Sequence, residues 1–74
     1  MSDDDLAKAA ARALEADDFV PFEDLDLTVS NGRVTISGHV DWQYQKDDAE
    51  RIVSRLPGVK RVSNLITVNL APRR

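Results

Sequence analysis

Leu25-Asp26-Leu27-Thr28-Val29-Ser30-Asn31-Gly32-Arg33-Val34-Thr35-Ile36-Ser37-Gly38-His39-Val40 is the stretch whose reading fixes the fold. Leu25, Leu27 and Val29 alternate with Asp26 and Thr28, the pattern of a half-buried strand. Val34, Ile36, Gly38 and Val40 alternate with Thr35, Ser37 and His39 in the same way. Asn31-Gly32 between the runs is a strong hairpin signal, because a tight hairpin turn of this type needs positive φ at both central residues. Such a turn pairs Ser30 with Arg33, so Val29 faces Val34, Leu27 faces Ile36 and Leu25 faces Gly38. Every residue of that series lands on one face, so register and hydrophobic pattern agree. Gly38 in phase with the core predicts a bulge or the close approach of another backbone, for which the alanine face of the first helix or the second helix is a candidate.

Upstream, Ser2 followed by Asp5 resembles a capping box, and Asp3, Asp4 and Asp5 suit a helix N-terminus. Leu6, Ala9, Ala10, Ala13 and Leu14 recur at helical spacing and predict a helix over about 3–16 with a small-residue face. Pro21 makes 17–24 a loop, in which Phe19 and Phe22 are expected to close one end of the core. The carboxylates flanking them oppose insertion into an anionic bilayer. Downstream, Asp41 is the expected N-cap of a second helix over about 42–56. Ala49, Ile52, Val53 and Leu56 form its core face, with Trp42 and Gln45 joining it and Trp42 sealing the core. Pro57-Gly58 ends that helix. Val62, Ile66, Val68 and Leu70 share the parity of a last strand, and 71–74 read as a tail. The expected fold class is α+β in the order αββαβ, with two helices on one face of a three-stranded mixed sheet. The other face, with Thr28, Thr35, Ser37, His39 and Thr67, is expected to be polar and wet.

Seventy-four residues accommodate one core, so residues 1–74 read as a single domain with its core over about 3–70. Apolar residues at 42% and charged residues at 31% describe a globular chain. The absence of cysteine excludes disulfide, thiolate-metal and thiol chemistry. The longest purely apolar run is three residues, too short for a membrane span or a secretory signal core. The chain as written is expected in the cytoplasm, or in the periplasm if a signal has been trimmed from it.

The net charge of −3 conceals a split. Residues 1–26 carry nine carboxylates against Lys8 and Arg12, a net −7, whereas 27–74 carry a net +4. This is not the dominant basic footprint of a nucleic-acid binder. Catalytic vocabulary is small. Ser37 and His39 share a strand face roughly 6.6 Å apart, too far for a nucleophile–base hydrogen bond, and Asp24, Asp26 and Asp41 near them add no pocket. We expect no catalytic residues, no metal site and no cofactor. The suggestive constellation is the outer stripe of the second helix and its exit, where Tyr44 is accompanied by Lys46, Arg51, Arg55, Lys60 and Arg61. An amphipathic ring with neighbouring cations suits anionic headgroups, while Asp47, Asp48 and Glu50 dilute the field.

Together these segments resemble a BON domain, a bacterial module named for osmotically induced and nodulation proteins. The resemblance rests on Leu27 to Val40, on Ala49-Glu50-Arg51-Ile52-Val53, and on Leu56-Pro57-Gly58-Val59 with Val62-Ser63-Asn64-Leu65-Ile66-Thr67-Val68. Asn31, Gly32, Gly38 and Gly58 are its structural signature, and Val40 to Gln45 is similar to proteins carrying several such domains in tandem. The resemblance implies the αββαβ fold, no enzymatic activity, and a transport-associated role in attachment to phospholipid membranes. The expected partner is either anionic phospholipid headgroups, through Tyr44, Lys46, Arg51, Arg55, Lys60 and Arg61, or another protein domain, such as a tandem BON domain or a second copy of the chain, met through a strand edge or the second-helix face.

Overall fold

A computed structural model describes residues 2–69. Helix α1 spans Asp3–Glu15, strand β1 Leu25–Ser30, β2 Arg33–Val40, helix α2 Gln43–Ser54 and β3 Arg61–Val68, with a short 3₁₀ turn at Phe22–Asp24. Strand order is β1-β2-β3, with β1 and β2 antiparallel and β2 and β3 parallel. The hairpin has the register expected from its sequence, Val29 facing Val34, Leu27 facing Ile36 and Leu25 facing Gly38. Asn31 (φ 52°) and Gly32 (φ 82°) supply the positive dihedrals of the turn.

Leu6, Ala10 and Leu14 of α1 and Ala49 and Val53 of α2 are buried against Val34, Ile36, Val40 and Ile66 of the sheet. Phe22, Ile52, Leu56, Val62 and Val68 pack around this core. Asn64 has the core parity of β3 but is polar, and it clamps α2 to the strand. Its Nδ2 donates to the Lys46 carbonyl (2.9 Å) and the Glu50 carboxylate (3.2 Å), and its Oδ1 accepts from the Ile66 amide (3.2 Å). Leu70 and the expected tail lie outside the described residues.

The structure corrects four local expectations. The backbone crowding Gly38 is neither α1 nor α2 but the junction of the 3₁₀ turn with β1. A Cβ there would collide with the Asp24 carbonyl oxygen and lie 3.0 Å from Leu25 Cα, at φ +129°. The N-cap of α2 is Trp42 rather than Asp41. Trp42 is extended (φ −128°, ψ 144°), and the Gln45 side-chain oxygen accepts from the amides of Asp41 (3.1 Å) and Trp42 (3.0 Å). Because Trp42 precedes the helix, helical spacing does not aim its ring at the core, and the residue is 51% exposed. Phe19 is also outside, at 62% exposed, because the neighbouring Val20 fills the core position.

At the N-terminus Ser2 Oγ accepts from the Asp5 amide (3.2 Å). The Asp3 carboxylate instead crosses the molecule to the turn, accepting from the amides of Asn31 (2.8 Å) and Gly32 (3.3 Å). Lys60 and Arg61 donate their amides to the Gly32 carbonyl, while Asn69 donates to Val40 at the opposite end of the sheet. The domain therefore has a hairpin end, holding the start of α1, the Asn31-Gly32 turn, the exit of α2 and the start of β3. It also has a loop end, holding residues 16–24 and the entry to α2.

Candidate functional site

The six residues singled out on the sequence do not form one surface. Tyr44 and Arg55 share a helix angle, but eleven residues separate them by about 16 Å along α2, so they sit at opposite ends. Lys46 is on the flank facing β3, and Arg51 is paired with Asp48 at 2.9 Å. Arg55, Lys60 and Arg61 gather at the hairpin end. Arg33, absent from the predicted set, joins them there, since the parallel register sets Arg33 beside Arg61. Both arginines precede the first core residue of their strands, Val34 and Val62. Only the in-register pairing of those strands, which sequence spacing does not give, would have revealed the contact.

Arg33 and Arg61 have the parity of the open sheet face and are exposed. Like charges on adjacent strands oppose pairing. Lys60 lies over the turn, its Cγ and Cδ 2.9 Å from where a Cβ of Gly32 would be. Arg55 is the C-cap of α2, where a cation suits the carbonyl end of the helix. Among the described residues none of these four cations makes an ion pair; the pairs present there are Lys8–Asp4 and Arg51–Asp48. The carboxylates at this end belong to the first turn of α1. Asp3 is engaged by the turn amides and Asp4 by Lys8 at 3.3 Å.

The loop end is aromatic and acidic. Phe19 meets Tyr44 edge to face, with ring centroids 6.3 Å apart and planes at 74°. Phe19, Trp42 and Tyr44 are each at least half exposed. Gln45 ties their backbones together, since its Nε2 donates to the Phe19 carbonyl (2.8 Å) while its oxygen receives the Trp42 amide. Asp17 accepts from the Phe19 amide (2.7 Å), and Asp18, Glu23, Asp24 and Asp41 are exposed in the segments at this end.

Ser37 and His39 lie on the open sheet face in the same strand, in register with Leu65 and Thr67 of β3. Among the described residues no three His, Cys, Asp or Glu side chains converge as a metal site, and no described helix is long and apolar enough to cross a membrane. Leu65, which the alternation argument passed over, is 63% exposed on that open face.

The sequence pattern of the BON domain matches residues 2–69, nearly the whole chain. The chain belongs to the BON family. Its four positive-φ positions among the described residues are Asn31, Gly32, Gly38 and Gly58, the residues that carry the resemblance. The osmotically-inducible protein Y of Escherichia coli (strain K12) is 45% identical over 51 residues, which are 69% of this chain and 25% of that protein. The matched stretch thus spans about a quarter of that relative's length. In structure it is similar to the C-terminal domain of CdsD, described as the structural protein of the type III secretion system of Chlamydia trachomatis. The TM-score is 0.79 at 15% identity, covering 95% of this chain and 35% of the other. At that identity the likeness concerns the fold.

Proposed function

We propose that this BON domain is a non-enzymatic, transport-associated module that attaches peripherally to anionic phospholipid surfaces through its hairpin end. The reading is supported above all by Arg33 beside Arg61 on adjacent strands. An arrangement that opposes strand pairing in the free protein becomes favourable when phosphate headgroups lie against it. Lys60 and Arg55 extend the cationic surface around the turn and the helix exit, while Arg51 and Lys46 contribute at longer range from α2. At about 1 kcal/mol per cation near an anionic leaflet, four cations give a weak, reversible, salt-sensitive attachment. Tyr44, at the other end, takes no part in it.

Vesicle co-sedimentation tests the reading. The domain should pellet with phosphatidylglycerol-rich vesicles at low salt and be released as salt is raised. Arg33→Ser combined with Arg61→Ser should weaken binding about thirtyfold, the loss of two such cations, whereas Tyr44→Ala should leave it unchanged. Failure to pellet at low salt, or indifference to the arginine changes, would contradict the proposal.

A second reading, docking to another protein domain, is favoured by the three exposed aromatic residues at the loop end.

A further inference from the structure

We infer that the loop end is a second, separate binding site, one that docks an arginine- or lysine-bearing segment of a partner protein against Phe19, Trp42 and Tyr44. Its rings are exposed on a pinned backbone: Asp17 accepts from the Phe19 amide, Gln45 bonds the Phe19 carbonyl and the Trp42 amide, and the Phe19 and Tyr44 rings meet edge to face. Fixed aromatic faces lose little freedom on binding and are the groups that dominate protein interfaces. The surrounding charge selects the occupant. Asp18 and Asp41 are exposed beside the rings, and Asp17 keeps one carboxylate oxygen beyond its bond to the Phe19 amide. Such a rim repels an anionic bilayer but attracts guanidinium and ammonium groups, which also stack on aromatic faces. Of the nearby positive or titratable groups, Lys46 gives its backbone carbonyl to Asn64 of β3, and His39 lies on the open sheet face. Because the hairpin end lies at the far end of α2, this site remains available when the basic end is on a membrane, and it stands whether or not lipid is bound there.

Trp42 is the only tryptophan in the chain, so its fluorescence reports on this site. Titrating the whole chain with a peptide of four Arg-Gly repeats should give a saturable change in Trp42 emission. Phe19→Ala with Tyr44→Ala should weaken the peptide about tenfold, with the far-UV spectrum and melting curve retained, since both rings are exposed. Arg33→Ser with Arg61→Ser should leave peptide affinity unchanged. The inference is overturned by an absent or non-saturating response, or by equal affinity after removal of the two rings, which would reduce the contact to diffuse charge. A larger emission change with phosphatidylcholine vesicles than with the peptide would make the occupant a lipid and overturn it as well. So would self-association in the absence of peptide that the arginine changes abolish, because the occupant would then be a second copy.

Discussion

Gly38→Ala is expected to destabilise the domain by about 3–5 kcal/mol, combining backbone strain with overpacking. The added methyl would meet the Asp24 carbonyl oxygen and Leu25 Cα, which are backbone atoms where the 3₁₀ turn enters the paired strand and cannot rotate away. The φ of +129° is also one that side-chain-bearing residues rarely adopt. Relief requires β1 to move from β2 at the point where the 3₁₀ turn enters the sheet. A chain of 74 residues has a total stability of about 4–11 kcal/mol, so this one methyl removes a large part of it. Thermal denaturation followed by circular dichroism should show the midpoint lowered by roughly 12 °C or more. A shift of only a degree or two would mean that the approach of Asp24 to Gly38 is not a constraint of the fold.

The second large effect is expected at Ile36. It is fully buried on the central strand, with Leu27 opposite on β1 and Asn64 opposite on β3. It shares one buried cluster with core side chains of both helices, so the site has little scope to collapse. Ile36→Ala should cost about 3–4 kcal/mol, from lost burial and the cavity left behind. Leu65→Ala is the matched control, since Leu65 sits 63% exposed on the open face and its truncation should stay within about 0.5 kcal/mol. Urea denaturation of both variants checks the pair. Similar losses at the two positions would place the core on the wrong face of the sheet.

The hairpin was legible because two independent signals coincide in it. Asn31-Gly32 fixes the turn, and the alternation from Leu25 to Val40 fixes which side chains face inward. Gly38 was correctly marked as a place of close approach, but alternation cannot say which backbone approaches. The neighbour proved to be the entry to β1. Trp42 and Phe19 were misplaced for a common reason, the assumption that a large apolar side chain goes inside. Trp42 is an extended cap ahead of α2, and Phe19 sits beside Val20 on a chain that can turn only one of the two inward. Leu65 escapes the core by the same logic, being adjacent to the buried Ile66. The candidate site was half legible. Helical angle grouped Tyr44 with Arg51 and Arg55 but carries no information about distance along the axis. Arg33 joins Lys60 and Arg61 only through the parallel pairing of β2 with β3, a long-range contact to which no local spacing points.

Folded, the chain has two unlike ends, one at the hairpin where Arg33, Arg55, Lys60 and Arg61 gather beside the acidic first turn of α1, and an acidic, aromatic one at the loops. Membrane attachment through the hairpin end is the central functional claim. Its most direct test is residue-resolved NMR of the labelled chain titrated with phosphatidylglycerol-containing nanodiscs at low salt. Amide resonances of 31–33, 55–56 and 58–61 should shift or broaden first, while those of 17–19 and 41–45 stay in place. The opposite pattern, with the loop end perturbed and the hairpin end silent, would contradict the account.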